Sequence, residues 1–132
     1  MERSLVLIKP DGVEKKVIGK IISLYEENGL NISNLKLMKV DRSIAEEHYS
    51  EHKDKPFFEN LVNFITRSPL CAMILEGEEA INRVRELNGS TNPLEAKEGT
   101  IRNLYGNSIR ENCVHSSDSN ESAEREINIW FK

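Results

Sequence analysis

Apolar and polar positions change period from block to block along the chain. Residues 4–8, Ser-Leu-Val-Leu-Ile, form an unbroken apolar run that reads as a buried strand. Lys9-Pro10-Asp11-Gly12 ends it with a turn signal. Val17, Ile18, Ile21, Ile22 and Tyr25 share one helical face, and Asn28-Gly29 supplies the stop. Residues 35–40 alternate leucine and lysine, as a half-exposed strand does. Ser43 and Glu46 make a capping-box pattern for a short helix through Tyr49. Pro56 opens a further helix with Leu61, Val62 and Ile65 inward. Residues 70–76 read as a second buried strand. Residues 79–87 read as a helix with Ala80, Ile81, Val84 and Leu87 inward, ended by Asn88-Gly89.

No period persists over residues 90–111. A loop of that length inside a compact domain points to function. Residues 113–115 suit a short strand, and Ser119 caps a last helix through about Ile127. The apolar tail Ile129-Trp130-Phe131 packs back. Strands alternate with helices, so the period alone predicts a parallel α/β sheet.

Length and composition narrow the class. At 132 residues the chain is the size of one domain, spanning 1–132. Its 38% hydrophobic and 30% charged residues are ordinary for a globular protein and too apolar for a disordered one. The longest apolar run, residues 70–75, falls far short of the ~20 residues of a membrane span. The four apolar residues 5–8 are too few for a signal-peptide core of ~7–15 residues, so a cytoplasmic protein is expected. The net charge of −4 lacks the basic surplus of a duplex nucleic-acid binder. Cys71 and Cys113 show no metal-ligand or redox spacing, and Cys71 reads as a small buried hydrophobe.

Three histidines are candidates for chemistry. His48 and His52 stand four apart, a spacing that permits two metal ligands on one helical turn. No glutamate occupies the metalloprotease position between them, and a solvated helix face is the plainer reading. His115 lies in Asn112-Cys113-Val114-His115-Ser116-Ser117-Asp118-Ser119, where apolar residues lead into a histidine, hydroxyls and a carboxylate at a helix start. Such a start is a natural anion site, and a histidine aimed at it can be a nucleophile toward phosphorus or a general base. A capping histidine in a turn explains the same spacing. Walker and GxGxxG loops are absent. Single cations stand instead at element ends, Lys9, Arg85 and Arg102. Together they could clamp a polyphosphate; one at a time each reads as a surface charge. Of Phe57 and Phe58, one packs inward and the other can offer a stacking platform.

The strings LVLIKPDGV, HYSEHKDKPFF, STNPLEAKEGTIR and NCVHSSDSNESAEREINIWF resemble the nucleoside diphosphate kinase family nearly end to end. The resemblance implies a ferredoxin-like α+β sandwich with a four-stranded antiparallel sheet, in place of the parallel sheet. It implies a ping-pong transfer of the γ-phosphoryl of a nucleoside triphosphate, mainly ATP, to a nucleoside diphosphate. His115 matches the nucleophile, reacting through Nδ1, and Glu126 the acid that bonds its other nitrogen. Lys9 and Asn112 match ribose contacts, with Lys9 also near the transferred group. Arg85, Thr91 and Arg102 match phosphate contacts, Tyr49 and His52 line that region, and Phe57 matches the base platform. Ser117 and Asp118 sit beside the histidine. Mg2+ is implied as the cofactor, carried by the nucleotide phosphates near Asp118 and not by a protein cage. Residues 90 to about 111 match a loop that lines the site and packs between subunits.

Some positions depart from the family pattern. Ser116 replaces a usual Gly or Ala, Glu98 a proline, Asn103-Leu104 a Gly-Asp, and Arg110-Glu111 a Gly-Arg or Gly-Lys. The end of the sequence at Lys132 leaves homohexamer and homotetramer open, with the hexamer expected. Two other functions compete. A non-catalytic scaffold would have lost the histidine or its partners, which are all present. A single-stranded nucleic-acid module would show exposed aromatic pairs on residues 5–8 and 70–75, which are absent.

Overall fold

A computed structural model describes residues 1–131; Lys132 lies outside the described residues. Strand β1 (Glu2–Ile8) runs into a short helix α1 (Pro10–Glu14), then α2 (Ile18–Glu27) and β2 (Asn31–Met38). Helix α3 (Arg42–His48), a 3₁₀ turn (Ser50–His52) and α4 (Phe58–Thr66) lead to β3 (Leu70–Gly77). Then follow α5 (Ala80–Asn88), α6 (Ile101–Tyr105), β4 (Val114–Ser116) and α7 (Asn120–Trp130).

The sheet order is β2-β3-β1-β4, and each neighbouring pair is antiparallel. The parallel sheet expected from the period is therefore wrong, and the ferredoxin-like α+β sandwich is right. The error has a physical cause. Helical crossovers carry β1 to β2 as in a parallel unit, but the slot between them is filled by β3 running the other way. Helices cover both faces, so β1 reads as one continuous apolar run. One core gathers Val6, Ile8, Ile21, Tyr25, Met73 and Leu75; the other gathers Leu5, Leu7, Val62, Ile65, Ile74 and Trp130. Continuous apolar runs are the usual mark of parallel strands, and here double coverage imitates it.

Several local expectations need correction. Strand β2 starts four residues earlier than residue 35, and its leucines point outward: Leu35 is 50% and Leu37 62% exposed. Lys36 holds the inner position, its ammonium 4.7 Å from the centroid of the Phe131 ring. A lysine can do this because its long stem packs on apolar surface while its charge stays at the rim. Ser43 does not cap α3. Asp41 stands at the N-cap, with no side-chain cap bond, and Glu46 pairs with Arg42 at 3.0 Å. The Lys9–Gly12 turn is the entry of α1, with Pro10 in its first turn. Leu61 lines a cleft and not the core. The 90–111 loop contains α6, capped by Thr100, whose hydroxyl accepts from the Asn103 amide at 3.3 Å. The Ser119 cap is observed, accepting from the Ser122 amide at 3.0 Å. Helix α7 then runs on to Trp130, taking up two residues of the expected tail.

Trp130 is 1% exposed and its indole Nε1–H donates to Nδ1 of the buried His48 at 3.1 Å. Burial, with the nearby His115, pushes the His48 imidazole down from 6.5 to about 3. The unfolded chain therefore protonates His48 near pH 6.5 and the folded chain only near 3. Stability is fully present above 6.5 and is lost as pH falls across that window. The loss amounts to a few kcal/mol, because each tenfold change in proton affinity is worth ~1.4 kcal/mol. His48→Gln keeps an acceptor for Trp130 and cannot titrate. Urea denaturation at pH 7, 5.5 and 4 should show a flatter pH dependence in the variant. Parallel wild-type and variant curves would refute it.

Candidate active site

The end of β1 and strand β4 build a cleft of about 1060 Å³. Register places Leu7 opposite His115 and Ile8 opposite Val114. Just before β4, Cys113 adopts φ 80°, a left-handed conformation that is strained for a side-chain-bearing residue. Two bonds hold it there. Its amide donates to Asp11 Oδ2 at 2.9 Å, and its carbonyl accepts from the Lys9 amide at 2.8 Å. Gly12 is needed beneath it, since a Cβ there would lie 2.7 Å from Cys113 Sγ.

This turn brings Asn112 to Lys9, whose ammonium donates to Asn112 Oδ1 at 2.7 Å and to the Arg110 carbonyl at 3.3 Å. Asn112 Nδ2 donates to the carbonyls of Thr91 and Ile109, both at 2.9 Å. Burial pushes Lys9 down to about 8, against the pull of the Asp11 carboxylate. It therefore stays mostly protonated at neutral pH. Burial also raises Asp11, whose Oδ1 has no hydrogen-bond partner.

His115 Nε2 lies 3.2 Å from Glu126 Oε2, and Ser117 Oγ donates to Glu126 Oε1 at 2.7 Å. Ser117 Oγ in turn accepts from the Leu5 amide at 3.1 Å. Burial alone would raise the Glu126 carboxyl. The bond and charge of His115, and the Ser117 bond, outweigh it and hold the group below the usual carboxylate range. An ionised carboxylate only accepts, so the proton sits on Nε2 and the lone pair on Nδ1. His48 lies edge-on to the His115 ring at 4.7 Å between centroids.

Every site residue expected from the sequence except Glu126 and Ser117 lines the cleft, and those two stand directly behind His115. Arg85 is exposed on the last turn of α5. Arg102 belongs to α6 and not to a loop. It donates to the carbonyls of Gly89 and Val114, both at 2.8 Å, and its Nε has no protein partner. Tyr49 and His52 sit on one wall, and burial with the Glu126 charge raises the Tyr49 phenol above its usual range. Phe57 lies 5.5 Å from the His52 ring, while Phe58 packs on the core. Asp118 is exposed, held below the usual range first by a bond from Ser122.

The His48–His52 metal pair does not form. Among the described residues, His48, His115 and Glu126 bring possible ligand atoms within 4.8 Å of one another. His48 Nδ1 already accepts from Trp130, so its Nε2 carries a proton and offers no lone pair. Three residues of the site escape sequence reasoning. Asp11 is hidden in a turn signal, and His48 has the pattern of a surface position. Asn88, at a helix end, is buried. It accepts from the Tyr25 hydroxyl at 2.5 Å and donates to Ser116 Oγ at 3.1 Å.

Known proteins place this geometry. The family model for nucleoside diphosphate kinase matches residues 2–132. A nucleoside diphosphate kinase of Clostridium perfringens is 56% identical over 131 residues, covering 99% of this chain and 92% of its own. One of Carboxydothermus hydrogenoformans is 53% identical over 132 residues, covering 100% and 89%. Among solved structures, the Aquifex aeolicus nucleoside diphosphate kinase superposes with TM-score 0.96 at 41% identity, covering 99% of this chain and 95% of its own. That of Halobacterium salinarum, in complex with CDP, gives 0.95 at 46% identity, covering 99% and 88%. The chain belongs to the nucleoside diphosphate kinase family.

Proposed function

We propose that this chain transfers the γ-phosphoryl of a nucleoside triphosphate, mainly ATP, to a nucleoside diphosphate through a phosphohistidine at His115. The observation that carries the reading is the Glu126–His115 bond of 3.2 Å, which leaves the lone pair on Nδ1 of a ring lining the cleft. Nδ1 attacks the γ-phosphorus; an N–P bond forms as the bond to the β–γ bridging oxygen breaks, and the diphosphate leaves with that electron pair. The terminal oxygen of a second diphosphate then attacks the phosphohistidine and returns Nδ1 to its lone pair. Splitting the reaction in this way lets each in-line transfer use the same cation-lined cleft. Glu126 offsets the positive charge that develops on the imidazole.

Lys9 and Asn112 hold the ribose hydroxyls, Arg85, Thr91 and Arg102 hold phosphates, and Tyr49 and His52 line the phosphate path. Phe57 stacks on the base. The relative solved in complex with CDP supports a nucleoside diphosphate as a ligand. Mg2+ fits as a phosphate-borne ion. In the cluster of His48, His115 and Glu126, His48 and Glu126 are already hydrogen-bonded, whereas the exposed carboxylate of Asp118 can meet a hydrated ion on the phosphates. Such an ion neutralises phosphate charge. No helix among the described residues is long and apolar enough to cross a membrane. Both cysteines are free and buried, in keeping with the reducing cytoplasm.

Incubation with labelled ATP should put acid-labile, base-stable label on the protein. Acid-stable label, or label persisting in His115→Ala, would overturn the mechanism. Because a ring face stacks on any base, kcat/KM for ATP, GTP, CTP and UTP should fall within about one to two decades. Phe57→Ala should weaken all four, purines more than pyrimidines. A preference of ~10⁴ for one base would contradict this.

The assembly we infer is a homohexamer, with a homotetramer as the alternative. Support comes from β2, an edge strand whose exposed Leu35 and Leu37 form a small apolar face. Light scattering should give six times the 15.1 kDa protomer. The double variant Leu35→Lys, Leu37→Lys should shift it to smaller species, and a monomeric wild type would refute the assembly.

A further inference from the structure

Ser116 is one of the departures from the family pattern, and it stands next to His115 at the end of β4. It is half-buried and lines the cleft. Behind it lies a polar chain sealed inside the apolar core. The fully buried Tyr25 hydroxyl donates to Asn88 Oδ1 at 2.5 Å, and Asn88 Nδ2 donates to Ser116 Oγ at 3.1 Å. The chain has one direction. Burial holds the Tyr25 phenol above its usual range, so the proton stays on its oxygen. Among the described residues the acceptor for that proton is Asn88 Oδ1. Turning the Asn88 amide over would leave the phenol proton buried without a partner, a costly state. The amide nitrogen therefore faces Ser116.

Ser116 Oγ is thus an acceptor toward the core, and its own proton points elsewhere. Among the described residues no side chain or carbonyl accepts it. The open side is the cleft. Arg102 marks the same corner. It bonds the carbonyl of Gly89, next to Asn88, and that of Val114, two residues before Ser116 on one face of β4. Its Nε has no protein partner either. Two donors without protein acceptors therefore lie at one corner of a cleft also lined by Lys9, Arg85 and His115. Such a corner suits an anionic oxygen.

We propose that the Ser116 hydroxyl is a further phosphate contact, donating to the β-phosphate of the bound nucleotide, with Tyr25 and Asn88 as positioning residues that aim its proton. This rests on the nucleotide site proposed above. With the γ-phosphorus facing Nδ1 of His115, the phosphate one step back falls to the neighbouring residue and the Arg102 corner. A glycine or alanine at position 116 has no hydroxyl to offer, so the contact belongs to this chain's own departure. Hydrogen bonds in a chain polarise one another, and a charged acceptor strengthens the last of them. Water reaches the half-buried hydroxyl, so the contact is worth about three- to tenfold in affinity.

Calorimetric titration of the intact protein with ADP and AMP tests the idea, because AMP stops one phosphate short. In Ser116→Ala the preference for ADP over AMP should fall about three- to tenfold. Tyr25→Phe keeps the ring and removes the phenol proton. The Asn88 amide is then free to turn over and take the Ser116 proton for itself, so part of the same loss should appear, about twofold. The double variant Tyr25→Phe, Ser116→Ala should lose no more than Ser116→Ala alone. A ratio measured within one variant is insensitive to a partly unfolded sample. A ratio unchanged in Ser116→Ala, a ratio unchanged in Tyr25→Phe, or losses that multiply in the double variant overturn this proposal alone. Absence of all nucleotide binding, together with absence of phosphohistidine, overturns the kinase reading as well.

Discussion

Glu126 is a carboxylate held inside the molecule, and much of the site follows from the need to satisfy it. Burying a charge is costly unless donors surround it, and losing one donor leaves that cost uncompensated. Its two oxygens take His115 Nε2 and Ser117 Oγ, and Ser117 accepts the Leu5 amide. One chain of bonds therefore runs from helix α7 through Ser117, just after β4, to strand β1, and a branch reaches His115 in β4. It orients the imidazole and ties the shortest strand of the sheet to its neighbours. Behind the ring, burial keeps the His48 imidazole neutral while its Nδ1 accepts from Trp130, so it sets no positive charge beside His115.

The second constraint is the left-handed Cys113. A residue with a Cβ does not choose φ 80° unaided. Asp11, in α1, holds it by its side-chain carboxylate on the Cys113 amide, and Lys9, just before α1, by its own amide on the Cys113 carbonyl, each partner more than a hundred positions away in sequence. The strain is offset by those bonds and reverses the chain sharply, so that Asn112 and His115 open onto one cleft. Gly89 serves the opposite wall. With φ 87°, and Thr100 Oγ1 only 2.4 Å from where a Cβ would stand, it lets α5 end against the start of α6. Its carbonyl then accepts from Arg102.

Most of the departures from the family pattern acquire partners. Ser116 accepts from Asn88, and Glu111 pairs with Arg67. Asn103 accepts from the Gly99 amide at 3.3 Å and donates to the Ala96 carbonyl at 3.5 Å, which closes the loop before α6. Leu104 is exposed, and nothing in the structure explains Glu98. The altered residues thus add ties around the cleft without displacing the histidine or its carboxylate.

Several elements were readable because their signals are local. The apolar blocks of β1 and β3, the Asn-Gly ends of α2 and α5, and the Ser119 cap each depend on a few neighbouring residues. The motif around His115, joined to KPDGV at the other end of the chain, sufficed for the family. Strand direction was not local: alternation of helix and strand is the same whether or not β3 fills the slot between β1 and β2. Nor was the facing of β2, where a lysine took the inner position and two leucines the outer. His48 and Asp11 looked like a surface residue and a turn former. Only the closed fold makes one the neighbour of His115 and the other the anchor of Cys113, because burial and partners come from residues distant in sequence. By itself the sequence determined the kinds of groups available and the short-range geometry of caps and turns. Tertiary structure decided which of those groups lost water, and so which imidazole became neutral, which carboxylate stayed ionised, and where a lone pair could be aimed.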